Sequence, residues 1–104
     1  MKLSFVILNY KTPHHLRLCL ERLTQYTFSF PSEIIVVDNA SGDTSLHMVQ
    51  SRFPTVRCIT NEQNIGHPGG INRGLEKAQG EYIAILNPDI IVRKQHDIEN
   101  MIHY

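Results

Sequence analysis

The stretch LSFVILNY, from Leu3 to Tyr10, is an apolar run of strand length that ends in polar groups. Such a run is typical of a strand that is buried on both faces, as in a parallel sheet covered by helices. Further apolar runs occupy residues 33–37, 56–60 and 82–86. The four runs predict four strands, and the less apolar run at 56–60 suits an edge of the sheet.

The segments between these runs carry helix signals. Thr12 and Pro13 suit the start of the first helix, because Thr caps helices well and Pro at the first helical position loses no useful donor. The second helix begins at Asp43, and the third runs over about residues 68–79 with Gly80 as its stop. The inward-facing residues expected from helical spacing are Leu16, Cys19, Leu20, Leu23, Leu46, Val49, Phe53, Ile71, Leu75 and Ala78.

The alternation of strands and helices predicts a three-layer α/β/α domain with a mostly parallel sheet and right-handed crossovers. We expect the strand order 3-2-1-4, which is one half of a doubly wound, Rossmann-like sheet. Sheets of this kind bind ligands beyond the carboxyl ends of their strands, here at the switch between strands 1 and 4. A length of 104 residues fits a single domain.

Composition excludes several classes of protein. Ten basic and ten acidic residues cancel, which argues against a nucleic-acid partner. No apolar stretch is long enough to span a bilayer, so we expect a cytoplasmic protein without a transmembrane segment. Cys19 and Cys58 have no metal-ligand spacing and are expected to be buried thiols in a reducing compartment, with a disulfide or metal site as the alternative.

Polar side chains follow three of the predicted strands at the point where each strand ends. Neighbouring strands lie about 4.8 Å apart, so these tips share one small cleft if the strand order is right. Each tip alone is also a turn signature, but three of them at the same end of one sheet favour a binding site. The candidate residues are Asn9, Tyr10, Asp38, Asn39, Asn87 and Asp89.

Asn87 and Asp89 are two residues apart, so an extended backbone points both side chains the same way. Pro88 favours that conformation because it disfavours helical angles at Asn87 and fixes its own. An oxygen pair of this kind suits Mg²⁺ or Mn²⁺, which take one or two protein carboxylates together with substrate phosphates. The sequence therefore predicts a divalent metal, held by Asp89, that arrives with a diphosphate.

A glycine-bearing loop at residues 66–70 resembles a phosphate cradle, although it is neither a dinucleotide-binding nor a Walker A sequence. A helix N-terminus with small residues can approach an anion closely. Gly66 and Asn72, with Asn64 and Arg73 beside them, are therefore candidates for contacts with the ligand. A tight loop that only caps the helix is the alternative.

Six motifs, in order and over nearly the whole chain, resemble the family 2 glycosyltransferases, and most closely their rhamnosyltransferase-like group. They are FVILNYK at 5–11, IIVVDNASGD at 34–43, NIG at 64–66, NRG at 72–74, GEY at 80–82 and LNPD at 86–89. The resemblance implies a GT-A fold. It also implies an enzyme that transfers a sugar, with inversion, from a nucleoside-diphosphate sugar to an acceptor hydroxyl in bacterial polysaccharide or cell-envelope glycan synthesis.

The resemblance also assigns roles to residues. Asn9 and Tyr10 fall where the family frames the nucleotide base, and Asp38 where a carboxylate contacts the base or ribose. The sequence Asn87-Pro88-Asp89 falls on the family's D-x-D metal motif, with Asn87 in place of the first acidic residue. The full nucleotide-sugar-binding set expected is Asn9, Tyr10, Asp38, Asn39, Gly66, Asn72, Asn87 and Asp89.

Family members are much longer than this chain, so residues 1–104 are expected to be the donor-side domain of a truncated enzyme. The catalytic base and the acceptor pocket, whether for a glycan, a lipid-linked or a protein acceptor, would lie outside this chain. The full-length enzyme is expected in the cytoplasm, with the inner face of the membrane as the alternative location. A non-catalytic nucleotide-binding or interaction fragment is the alternative. A nucleotidyltransferase is less favoured, because no basic glycine-rich loop follows strand 1. The open edge beyond strand 4 predicts a homodimer.

Overall fold

Strands and helices alternate along residues 2–25 and 30–88, the part of the chain that the computed structural model describes. The elements are β1 (Leu3–Asn9), α1 (Pro13–Gln25), β2 (Ser32–Asp38), α2 (Ser45–Arg52), β3 (Arg57–Thr60), α3 (Gly66–Lys77) and β4 (Tyr82–Leu86). The strands form one parallel sheet in the order β3-β2-β1-β4. The predicted strand order is confirmed.

The sheet has a helical layer on each face, because successive residues of a strand point to opposite sides. Phe5 and Ile7 of β1 face α1 and α2, whereas Val6 and Leu8 face α3. The first core contains Leu3, Phe5, Ile7, Leu16, Cys19, Leu20, Leu23, Val36, Val49, Phe53, Val56 and Leu86. The second contains Val6, Leu8, Ile35, Val37 and Ile71. The predicted three-layer architecture is confirmed.

Helix α3 packs closely on the centre of the sheet because glycines face it. A Cβ on Gly74 would lie 2.5 Å from Cγ1 of Val6, and a Cβ on Gly70 would overlap the side chain of Leu8. These contacts hold the N-terminal end of α3 beside the carboxyl ends of β1 and β2. The close approach therefore brings Gly66 towards the strand tips where a ligand site was predicted.

A hydrogen-bonded network ties the sheet together at its opposite end. Oγ of Ser4 donates to Oε2 of Glu33 at 2.6 Å, and the backbone N–H of Gln79 donates to the same oxygen at 2.7 Å. The N–H of Gly80 donates to Oγ of Ser4 at 2.8 Å, and Nη1 of Arg57 contacts Oε1 of Glu33 at 3.4 Å. The connection from α3 to β4 is thereby fixed to β1 and β2.

Gly80 does not serve as the left-handed helix stop that its position predicted. Helix α3 ends at Lys77, and Ala78 is already extended. Gly80 is required for a different reason, since a Cβ there would lie 2.6 Å from the backbone nitrogen of Ser4. Helix α3 also begins at Gly66, two residues before the predicted start.

Two further predictions about the core need correction. Leu46, expected on the inner face of α2, is only half-buried, and Ser45 is buried in its place. Cys19 and Cys58 are free thiols, as predicted, but only Cys19 is buried. Burial raises the pKa of the Cys19 thiol to about 11, so the thiol stays protonated and unreactive at neutral pH.

Among the described helices, none is both long enough and apolar enough to cross a membrane.

Candidate functional site

The carboxyl ends of β1 and β2 lie side by side, with Asn9 directly opposite Asp38. Parallel pairing continues one residue further, because the N–H of Asn39 donates to the carbonyl of Asn9 at 2.9 Å. On the other side of β2, the N–H of Asn61 donates to the carbonyl of Asp38 at 2.9 Å. The backbone therefore places four polar side chains, including that of Asn61, at one end of the sheet.

Asp38 is the acidic residue of this cluster, and three hydrogen bonds hold its carboxylate in place. Its Oδ1 accepts hydrogen bonds from Nδ2 of Asn9 at 2.8 Å and from Oγ of Ser41 at 2.7 Å. Its Oδ2 accepts one from the backbone N–H of Ser41 at 3.2 Å. Because an ionised carboxylate can accept about four hydrogen bonds, Oδ2 retains acceptor capacity for a ligand N–H or O–H.

The side chain of Asn9 is fully buried and occupied within the protein. Its Nδ2 donates to Asp38 and, at 3.2 Å, to Oγ of Ser41. Its Oδ1 accepts from Oγ1 of Thr12 at 2.7 Å. These partners use both of its donors, so the geometry suits a residue that orients Asp38 rather than one that reaches outward.

The turn between β1 and α1 adopts an uncommon backbone conformation. Lys11 has φ 54°, in the left-handed region that non-glycine residues rarely occupy. The N–H of Lys11 donates to Oγ of Ser41 at 2.8 Å, which holds the turn against the loop after β2. Just before it, Tyr10 is 43% exposed, and Nζ of Lys11 lies 5.3 Å from the centre of its ring. Strained backbone of this kind concentrates at functional sites.

Asn39 connects the tip of β2 to the segment that precedes α3. Its Nδ2 donates to Oδ1 of Asn64 at 2.9 Å and to the carbonyl of Gly66 at 3.2 Å. Its Oδ1 accepts from Nδ2 of Asn61 at 3.2 Å and from the N–H of Ile65 at 3.1 Å. The side chain is buried, so this connection is internal to the protein.

The structure brings together most, but not all, of the residues singled out from the sequence. Asn9, Asp38, Asn39 and Gly66 lie around the tips of β1 and β2 and are linked by the contacts above, and Tyr10 directly follows Asn9 in the chain. Of the remaining three, the two that the structure describes take no part in these hydrogen bonds. Asn72 is on the exposed side of α3, Asn87 is exposed just after β4, and Asp89 lies outside the described residues.

Sequence reasoning did not single out Ser41, Thr12 or Asn61. Ser41 could have been identified from the sequence, because a short polar side chain such as that of Asp commonly bonds to groups a few residues away. Here the N–H and the hydroxyl of Ser41 both donate to the carboxylate of Asp38. Asn61 directly follows β3 and obeys the same rule of polar strand tips that identified Asn9 and Asp38. Thr12 was predicted as a helix cap, yet its hydroxyl donates to Asn9.

Within residues 2–25 and 30–88, no three His, Cys, Asp or Glu side chains come together as a metal site would require. The half-buried thiol of Cys58 has a raised pKa, first because of burial and second because of the negative charge of Asp38 nearby. Cys58 therefore stays neutral and adds no charge beside the carboxylate of Asp38.

A parallel α/β sheet of order β3-β2-β1-β4, with polar side chains at its carboxyl ends, defines a Rossmann-like domain, a class that binds its ligands beyond those ends. Residues 4–104 match the family model described as glycosyl transferase family 2. The chain therefore belongs to glycosyltransferase family 2.

Similar proteins agree with this assignment. Glycosyltransferase GlyG of Streptococcus pneumoniae is 35% identical over 105 residues, which cover 96% of this chain and 32% of that protein. The crystal structure of S. aureus TarS 1–349 in complex with UDP has a TM-score of 0.84 at 25% identity, over 97% of this chain and 31% of that one. The mannosyltransferase PcManGT from Pyrobaculum calidifontis, in complex with GDP-Man and Mn²⁺, shares the fold with a TM-score of 0.85 at 20% identity, over 95% of this chain and 30% of that one.

The chain is short relative to these proteins. It spans about a quarter to a third of the length of the curated relatives it matches. Family membership applies to residues 4–104, and the GT-A type of fold to this chain.

Proposed function

We propose that residues 1–104 form the donor-binding domain of a glycosyltransferase that uses a nucleoside-diphosphate sugar. The observation that carries the proposal is the carboxylate of Asp38, which three hydrogen bonds from Asn9 and Ser41 orient at the carboxyl ends of the strands. Ligands of open α/β sheets bind at that end. Similarity to the TarS complexes with UDP and with UDP-GlcNAc supports a nucleotide-sugar ligand.

We propose that Asp38 and Tyr10 bind the nucleoside. The spare acceptor capacity of Oδ2 of Asp38 matches a ring N–H of uracil, thymine or guanine, or a ribose hydroxyl. The exposed ring of Tyr10 offers a flat surface on which a base can stack. Cytosine and neutral adenine lack that ring N–H. A contact with the base therefore favours donors carrying UDP, dTDP or GDP over those carrying CDP or ADP, whereas a contact with the ribose alone would not distinguish UDP from CDP.

We propose that Gly66, Asn72, Asn87 and Asp89 bind the diphosphate and its divalent metal. The residue types fit Mg²⁺ or Mn²⁺, because an amide oxygen at Asn87 and a carboxylate at Asp89 are hard oxygen donors that leave positions for phosphate oxygens. A bound ion would neutralise negative charge on the leaving nucleoside diphosphate. Asn39, the remaining strand-tip residue of the set expected from the sequence, bonds to Asn64 and Gly66 at the start of α3.

For the whole enzyme we propose transfer of the sugar to an acceptor hydroxyl with inversion, in the synthesis of a bacterial polysaccharide or cell-envelope glycan. Inversion requires a base that deprotonates the acceptor as it displaces the nucleotide. We assign that base to no residue of this chain. The acceptor, whether a glycan, a lipid-linked sugar or a protein, would be bound by sequence outside the donor domain.

A thermal-shift panel tests donor binding. A ligand that binds only the folded state at 100 times its Kd stabilises it by about 2.7 kcal/mol, so a matching nucleotide should raise the Tm by several degrees. UDP, dTDP and GDP, each with Mn²⁺, form one arm, and CDP and ADP with Mn²⁺ form the control arm. A rise in the first arm that Asp38→Asn clearly reduces supports the proposal. A Tm that no nucleoside diphosphate raises would contradict it.

A chain that binds a nucleotide without transferring sugar is the second candidate, since no residue of this chain is assigned as the catalytic base. Slow release of free sugar from a UDP-, dTDP- or GDP-sugar separates the two candidates. Turnover by the 104-residue chain that Asp38→Asn reduces indicates an active centre. Tight nucleotide binding with no turnover indicates a donor-binding domain alone.

A further inference from the structure

The segment leading into α3, residues 62–66, is held mainly by hydrogen bonds. Every residue from Glu62 to Pro68 is exposed, so the segment has little apolar burial to fix it. Gly66 has φ 80°, a left-handed conformation, and Ile65 provides no side-chain cap to the helix. Oδ1 of Asn64 accepts the N–H of Gly66 at 2.8 Å in its place. What orients Asn64 and Gly66 therefore determines where this segment lies.

Asn39 supplies that orientation. Its two donors reach Oδ1 of Asn64 and the carbonyl of Gly66, while its oxygen accepts from Asn61 and Ile65. These four bonds use every hydrogen-bonding position that an asparagine side chain has. Asn39 is also 2% exposed, which leaves no surface for contact with a ligand.

Asp38, the last residue of β2, and Asn39, which follows it, thus bond to opposite sides of the proposed donor site. Asp38 is bonded to Asn9 and Ser41, on the side of β1 and its turn. Asn39 is bonded to the segment before α3, on the side of β3. Asp38 and Asn39 are adjacent in the chain, so a single peptide unit sets the distance between the β1 side and the β3 side of the proposed site.

We infer that Asn39 is a positioning residue, which binds no part of the donor but fixes the α3 lead-in relative to Asp38. The inference rests on the proposed function and deepens it. The nucleotide bound by Asp38 and the phosphates near Gly66 belong to one ligand, so the two sides must keep one separation for it to bind. An amide is required at this position, because only an amide donates two and accepts two hydrogen bonds here.

Asn39→Asp is the sharpest single change. It keeps the size of the side chain but replaces both donors with an oxygen that faces Oδ1 of Asn64 and the carbonyl of Gly66. The new carboxylate oxygen therefore repels these two oxygens of residues 62–66 instead of holding the segment in place. Asn64→Ala, at an exposed residue, loosens the same connection without burying a charge and serves as the second variant in case Asn39→Asp does not fold.

Glu33→Gln is the matched control. It also alters a hydrogen-bonded residue of β2, but at the opposite end of the strand, in the Ser4 and Gln79 network. It should lower the Tm without affecting the cleft. A purely structural role of Asn39 would give the same pattern as this control, whereas a positioning role would not.

The experiment measures Kd for UDP, GDP and dTDP with Mn²⁺ by calorimetry, and hydrogen exchange of the Gly66 amide, which donates to Asn64, without nucleotide. We expect Asn39→Asp to weaken the tightest of the three by about tenfold and to speed Gly66 exchange, because a lost hydrogen bond of ordinary strength corresponds to about that factor. Asn64→Ala should weaken binding in the same direction, and the double variant should be no weaker than Asn39→Asp, as expected for residues acting together.

The outcomes separate the two proposals. If the wild-type chain binds none of the three nucleotides, the proposed function fails and this inference fails with it. If the wild-type chain binds, but Asn39→Asp and Asn64→Ala bind as tightly as Glu33→Gln does, only the positioning role is overturned. Unchanged exchange at Gly66 in Asn39→Asp would overturn it as well.

Discussion

Nδ2 of Asn9 donates a hydrogen bond of 2.8 Å to Oδ1 of Asp38, between the last residues of two paired parallel strands. Both side chains are buried, so neither can exchange its partner for bulk water. A polar pair of this kind is stable only while its members remain satisfied. The pair therefore makes stability and the proposed donor site depend on the same contact.

Asn9→Ala is expected to lower the free energy of unfolding by about 2 kcal/mol, because it removes one of the three hydrogen bonds to the buried carboxylate of Asp38 and the acceptor of the Thr12 hydroxyl. Urea denaturation followed by circular dichroism measures this. Asn72→Ala on the exposed side of α3 is the control and should change stability by less than about 0.5 kcal/mol. Equal effects of the two substitutions would show that the buried contact is not stabilising.

The loss of folding stability at acidic pH is expected to depend on Glu33. Burial raises the pKa of this carboxyl, but hydrogen bonds from Ser4, Gln79 and Arg57 and the charge of Arg57 outweigh it and hold the pKa below its ordinary value of 4.5. Glu33 therefore stabilises the fold above about pH 4.5, and that contribution is lost as the pH falls through the lowered pKa.

The measurement is urea denaturation of wild type and Glu33→Gln between pH 7 and pH 3. The stability difference between them should be largest near neutral pH and should shrink as the pH falls. Glu62→Gln, at an exposed residue, is the control and should track the wild type. A difference that stays constant over the whole range would contradict the role of the Glu33 carboxylate.

Two glycines of α3 should respond in opposite ways to alanine. Gly74→Ala puts a Cβ 2.5 Å from Cγ1 of Val6 in the core, which should cost about 1–3 kcal/mol. Gly69→Ala meets only the exposed side chain of Ile65, which can move, so it should stabilise the helix by up to about 1 kcal/mol. Thermal unfolding of the two variants measures both changes in stability. A destabilisation of equal size at both positions would show that close packing on β1 does not explain the effect of Gly74→Ala.

The edge strand β4 is expected to mediate self-association of this chain. Ile83 and Ile85 are 41% and 49% exposed on it, and β1 is its only neighbour among the described strands. Lysine on an edge strand suppresses pairing, so the double variant Ile83→Lys, Ile85→Lys should be monomeric where wild type forms dimers. Light scattering over a concentration series measures this, with Ile65→Lys as a control of similar exposure. A wild-type chain that stays monomeric at high concentration would refute the proposed homodimer.

Strand order and layering were predictable because they depend on patterns that the sequence displays directly. The unbroken apolar runs in β1 and β2 require burial on both faces, and helical spacing in α1 gives the layer that covers one of them. The polar residues after those strands could be located by the same reasoning. Gly80 was misinterpreted because its requirement comes from Ser4, more than seventy residues away in the chain.

The inner organisation of the cluster was not predictable to the same degree. Asn9 and Asn39 resemble ligand-binding residues in the sequence, yet each has its hydrogen bonds directed to the protein. Which partner an amide selects depends on how loops fold over the strand tips, and periodicity carries no information about that. Ser41 illustrates the same limit, since its contact with Lys11 joins two loops.

Calorimetric titration with UDP, GDP and dTDP in the presence of Mn²⁺ tests donor binding at Asp38 most directly. The comparison uses wild type, Asp38→Asn and the control Asp43→Asn, which makes the same chemical change at an exposed residue that contacts only the start of α2. We predict that one of the nucleotides binds wild type and Asp43→Asn alike, and binds Asp38→Asn at least about tenfold more weakly. Equal binding by all three proteins, or by none of them, would contradict a donor site built around Asp38.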